Sequence, residues 1–124
     1  TMKYYAEIVG YGSDALEFLG DPDLRYLVLF DYTVPQELAE ISVLQKRKAG
    51  HGTLEVGDAF IICDKAFSIT AIGSEALHTL DELGHCTLCF KGGSEAERPG
   101  CIMLDGEKML SKYDVRVGKT IEVY

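Results

Sequence analysis

Apolar and polar residues alternate with a period of two along much of this chain, as they do in strands with one buried face. Lys3–Gly10 alternates in this way and predicts an opening strand, Tyr26–Asp31 is an apolar run of strand length, and Ile41–Leu44 is a shorter third one. Gly57–Cys63, the polar pair Asp64-Lys65 and Ala66–Gly73 read together as a hairpin. His85–Phe90, Cys101–Leu104 and Thr120–Tyr124 complete the predicted strands.

The period lengthens at three places. Ser74–Leu83 predicts a helix with Ser74 as its N-cap and Gly84 just past its end, because Ala76, Leu77, Leu80 and Leu83 then share one face. Ser13–Leu19 and Pro35–Glu40 predict shorter helices, the second opened by a proline whose fixed φ suits a first helical position. Many short strands with two or three short helices predict a mainly β protein: a small single-domain β-barrel or sandwich spanning residues 1–124. Leu54-Glu55-Val56-Gly57 and Val115-Arg116-Val117-Gly118 echo each other, each placing a turn glycine ahead of a strand. The shared pattern suggests two related barrel corners, and at nine residues it is too short to establish a duplication.

Charge narrows the possible partners. The 124 residues carry 12 Lys and Arg against 20 Asp and Glu, a net charge of −8. Sequence-independent nucleic-acid binding needs a basic face that releases counterions, so this balance argues against it. The one basic cluster, Lys46-Arg47-Lys48, interrupts the acidic background beside a glycine-containing stretch and reads as a loop, either solvated or receiving an anion. No run of about eighteen apolar residues is present, so neither a membrane span nor a secretory leader is expected, and a cytosolic location follows.

Four cysteines are set in apolar runs and are expected to be reduced there. Cys86 and Cys89 form a C-x-x-C, but on a strand positions i and i+3 face opposite sides, so their sulfurs would not converge on a metal or a redox partner. No metal site is expected.

The ordered segments Thr70-Ala71-Ile72-Gly73, then Leu83-Gly84-His85-Cys86-Thr87-Leu88, then Glu95-Ala96-Glu97-Arg98-Pro99-Gly100 resemble the glucitol/sorbitol-specific enzyme IIA component of the bacterial phosphoenolpyruvate-dependent sugar phosphotransferase system. Weaker similarity runs from the first strand to the last. The resemblance implies a phosphoryl carrier that takes its phosphoryl group from HPr onto a histidine and passes it to enzyme IIB, beside the IIC permease at the membrane. Neither metal nor organic cofactor is implied. The identity of the polyol and the oligomeric state are not implied either.

The same resemblance places the phosphohistidine directly after the segment matching Glu40-Ile41-Ser42-Val43-Leu44, and there this chain has Gln45. An amide cannot accept and return a phosphoryl group as imidazole does. Two histidines are alternative acceptors. His51 lies between glycines just after the basic cluster, and His85 sits at the predicted helix-to-strand junction. Each also has a plain structural reading, His51 as an exposed loop residue and His85 as a hydrogen-bonded tie between helix and strand. His78 falls opposite the apolar helix face and reads as solvated. Two functions stay open: a working carrier using His51 or His85, and a non-catalytic paralogue acting as a regulatory or protein-binding module.

Overall fold

The computed structural model describes residues 1–50 and 52–124. Eight strands are formed: β1 (Tyr4–Tyr11), β2 (Tyr26–Asp31), β3 (Ser42–Ala49), β4 (Ala59–Ile62), β5 (Lys65–Ile72), β6 (Cys86–Cys89), β7 (Cys101–Asp105) and β8 (Thr120–Val123). They close into a barrel in the order β1-β3-β2-β6-β7-β5-β4-β8. Closure removes both open sheet edges. The pairs β2/β3 and β6/β7 are parallel and every other pair is antiparallel.

Alternation sends one set of side chains to the interior. Ile8, Leu27, Leu29, Ile62, Ile69, Leu88, Ile102, Leu104 and Ile121 are almost wholly buried there. Each such side chain contributes roughly 1.5–3 kcal/mol through its removal from water. The expected barrel with short helices is therefore what forms, with α1 (Glu17–Gly20), α2 (Gln36–Ala39) and α3 (Ala76–Leu83) outside the sheet. The first two are single turns.

Three local expectations need correction. The hairpin turn is Cys63-Asp64, because Ile62 pairs with Lys65 across it. Both turn residues have positive φ, 51° and 68°, the backbone of a type I′ turn whose twist matches the flanking strands. Ser74 does not cap α3; Glu75 occupies that position and no side chain bonds the free amides. Lys46-Arg47-Lys48 lies in β3 rather than in a loop. The polar run is held in strand conformation by its ladder with β1, where Glu7 pairs with Lys46 and Ala6 with Arg47. Tertiary pairing overrides local composition here.

The barrel has an internal two-fold relation. β1, β2, β3 and β4 correspond in turn to β5, β6, β7 and β8, and the two halves make the same contacts. Ile8 pairs with Gln45 and, past a register shift, Gly10 with Leu44; Ile69 pairs with Leu104 and, past the same shift, Ala71 with Met103. The Gly12 amide donates to Ser42 O at 3.0 Å, and the Gly73 amide to Cys101 O at 2.7 Å. A Cβ on either glycine would lie 2.1–2.3 Å from a carbonyl oxygen of the segment crossing it, so neither position admits a side chain. The echoed corners belong to this relation, with Gly57 donating to Ile69 O at 2.8 Å and Gly118 to Ile8 O at 2.9 Å. The short sequence echo thus marks a correspondence that spans both halves.

Candidate functional site

A half-open cleft of about 470 Å³ lies between β3, the β2–α2 connection and the C-terminal end of α3. Its lining includes Tyr4, Asp31, Gln45, Arg47, Asp81 and Gly84. β3 contributes Gln45 and Arg47 to the same face by alternation. Gln45 is only 1% exposed, and with Ser42 it stands among core side chains that are otherwise apolar, aromatic or cysteine.

Both ends of the Gln45 amide are held. The Tyr4 hydroxyl donates to Oε1 at 2.8 Å, and Nε2 donates to Gly84 O at 3.0 Å. These partners fix which end of the amide is oxygen, because a carbonyl can only accept. Burial pushes the Tyr4 phenol far above its ordinary pKa, so it stays a donor. Gly84 is positioned by the end of α3. At φ +62° it closes the helix in left-handed conformation, its amide donating to Leu80 O and that of His85 to Thr79 O.

The rim is charged. The Arg47 guanidinium lies 4.9 Å from the Tyr4 ring centre, donates to Gly50 O at 2.6 Å and approaches Asp81 Oδ1 at 3.4 Å. Asp31, paired with Gln45 across the β2/β3 ladder, accepts from the amide and hydroxyl of Thr33. The strand conformation therefore divides the basic cluster. Arg47 faces the cleft, whereas Lys46 lies 5.5 Å from the Tyr32 ring centre and Lys48 is 3.8 Å from Glu7.

His85 sits at the junction of α3 and β6, as expected. Its Nδ1 is 3.0 Å from Leu29 O, and its ring stacks on Phe30 with centroids 4.1 Å apart. It does not line the cleft, though its neighbours Phe30 and Gly84 do. The tie runs to β2 as well as to the helix, through Thr79 Oγ1 donating to His85 O at 2.7 Å. His51 lies outside the described residues. His78 is exposed on α3. Cys86 packs in the main core and Cys89 in a smaller cluster with Ala71, Cys101 and Met103, on opposite sides of β6. Burial pushes the Cys86 thiol up to about 12. Glu97 in the Glu95–Gly100 loop pairs with Lys91 at 2.9 Å.

Tyr4 and Gly84 were not singled out by the sequence as parts of this site, whereas Arg47 belongs to the basic cluster that the sequence marks beside Gln45. Tyr4 had a usable signal, since it is the inward position of an alternating strand yet carries a hydroxyl that must find a partner when buried.

The same overall fold occurs in a solved IIA component. A crystal structure described as the PTS system IIA component from Enterococcus faecalis V583 matches with a TM-score of 0.75 and 25% identity, covering 94% of this chain and 96% of that one. The sequence profile of the PTS system glucitol/sorbitol-specific IIA component matches residues 3–122, and the chain belongs to that family. The PTS system glucitol/sorbitol-specific EIIA components of Escherichia coli (strain K12) and Shigella flexneri are each 34% identical over 106 residues, which is 86% of this chain and 84% of each relative.

Proposed function

We propose that this chain is a regulatory or protein-binding IIA module that does not relay a phosphoryl group. The observation that carries this reading is Gln45, buried on the cleft wall with both ends of its amide committed to Tyr4 and Gly84. The family resemblance puts the phosphohistidine at this position, and a carboxamide offers no nucleophilic nitrogen for it. Family membership supports HPr and the IIB and IIC components of a glucitol/sorbitol permease as partners, met on the cytoplasmic side of the membrane. No helix among the described residues is long and apolar enough to cross a membrane.

One observation favours the carrier as a second reading. A carbonyl can only accept, so Nδ1 of His85 carries the proton toward Leu29 O, and the neutral ring keeps a lone pair on Nε2. On this reading the N–P bond in phospho-HPr breaks as a new one forms at Nε2 of His85 or on His51.

Incubation with phosphoenolpyruvate, enzyme I and HPr, beside the E. coli relative as a positive control, separates the two readings. The expected result is no acid-labile adduct of about 80 Da on this chain, with HPr or IIB still bound in calorimetry. An adduct that disappears in His51→Ala or His85→Gln would overturn the module reading. A Gln45→His variant that gains the adduct would support it, by tracing the lost relay to that one position.

A further inference from the structure

The internal two-fold allows one end of the barrel to be compared with the other. In the first half, Lys3 pairs with Asp58 at 2.8 Å and lies 3.6 Å from Glu55. The relation carries Lys3 onto Asp64, Asp58 onto Lys119 and Glu55 onto Arg116, so every sign is reversed. Asp64 pairs with Lys119 at 2.5 Å, and Arg116 has no acidic partner among the described residues. Tyr4 corresponds in the same way to Lys65, whose ammonium is bonded to Asp114 Oδ2 and Met109 O, each at 2.7 Å.

These reversed positions line a half-open cavity of about 540 Å³ that shares no residue with the Gln45 cleft. Four of the chain's 12 basic residues line it, against three of its 20 acids. Asp64 and Asp114 each neutralise one lysine, which leaves Lys108 and Arg116 facing only Glu107. A concavity with excess positive charge in a protein of net −8 concentrates anions against the overall field.

We propose that this cavity binds a small organic phosphate, with its phosphate monoester held by Arg116, Lys108 and Lys119. A guanidinium fork takes two phosphate oxygens at once, and the flanking ammoniums add charge without a fixed geometry. A phosphate offers three oxygens to Arg116 and Lys108, neither of which has an ion-pair partner among the described residues. The volume lies within the roughly 300–1,000 Å³ typical of small-molecule sites, which leaves room for an organic group beyond the phosphate. The site is independent of whether Gln45 has silenced the relay.

The test is an amide NMR titration of the whole chain with glucose 6-phosphate, inorganic phosphate and glucose. Saturable shifts are expected for residues around Lys65, Lys108 and Arg116 with glucose 6-phosphate, weaker ones with phosphate, and none with glucose. Arg116→Glu should weaken binding by about tenfold or more, with Lys108→Glu as a second exposed variant that leaves the core untouched. Absence of saturable shifts at about 10 mM ester, or binding unchanged in both variants, would overturn the site. Inorganic phosphate binding as tightly as the ester would overturn the assignment to an organic ligand.

Discussion

The hydroxyl of Tyr4 on β1 donates to the side-chain carbonyl of Gln45 on β3 at 2.8 Å, with both residues all but excluded from water. A buried polar pair of this kind adds little net stability while intact and is costly to break singly.

Tyr4→Phe therefore leaves the Gln45 carbonyl without its donor and is expected to destabilise the protein by about 1–2 kcal/mol, as is Gln45→Leu for the orphaned phenol. The double variant should cost clearly less than the two together. Urea unfolding of the four proteins checks this coupling, and strict additivity would show that the bond is not formed.

Gly84 links the helix end to the cleft. A Cβ there would sit 2.9 Å from Asp31 Cβ and 3.0 Å from its backbone nitrogen, at a φ of +62° that side chains rarely adopt. Gly84→Ala is expected to cost about 1–3 kcal/mol and to shift the carbonyl that accepts from Gln45. Gly57→Ala shares the positive φ but meets no atom within 4 Å, so it should cost less. Thermal melts of the two variants measure the difference.

His85 offers a spectroscopic check. Donation to Leu29 O requires the neutral ring to carry its proton on Nδ1, the less common tautomer in free histidine. Imidazole nitrogen shifts should report Nδ1–H at neutral pH. His85→Ala should lose about 1–2 kcal/mol with the hydrogen bond and the Phe30 stack.

Acid should act through carboxylates held by lysines, among them Asp58 and Asp114. The Lys3 ammonium holds Asp58 below the ordinary carboxylate range, and the Lys65 ammonium does the same for Asp114. A depressed folded pKa means that the unfolded chain takes up the proton first. The stability contributed is present above about pH 4 and is lost as pH falls through the folded values. Melting temperature between about pH 5 and pH 2 should fall less steeply in Asp58→Asn and Asp114→Asn than in the unaltered protein, because each variant has already lost its share.

The barrel was legible because its strands alternate and its core is aliphatic, and α3 because four apolar residues share one face above Gly84. The Lys46–Lys48 strand was not legible, since what holds it is β1, forty residues away in sequence, and not its own side chains. The Cys63-Asp64 turn was displaced by one residue because Asp64-Lys65 is the more polar pair, while register is set by Ile62 facing Lys65. Position 45 was legible as a departure from the family motif. That its amide is clamped by Tyr4 and Gly84 is a matter of three segments meeting, which no local pattern reports.

The two-fold arrangement also bears on how such a barrel could arise. β4 finds no neighbour within the first half, pairing only with β5 and β8, and β8 in turn pairs with β4 and β1. Each half thus lends its last strand to the other, and a half-length ancestor could have closed its sheet only as an intertwined pair. Equivalent positions at the two ends of the barrel carry different side chains. Gln45, the buried amide of the cleft, corresponds to a leucine, Leu104, in the second half, so the polar wall belongs to one end of the barrel alone.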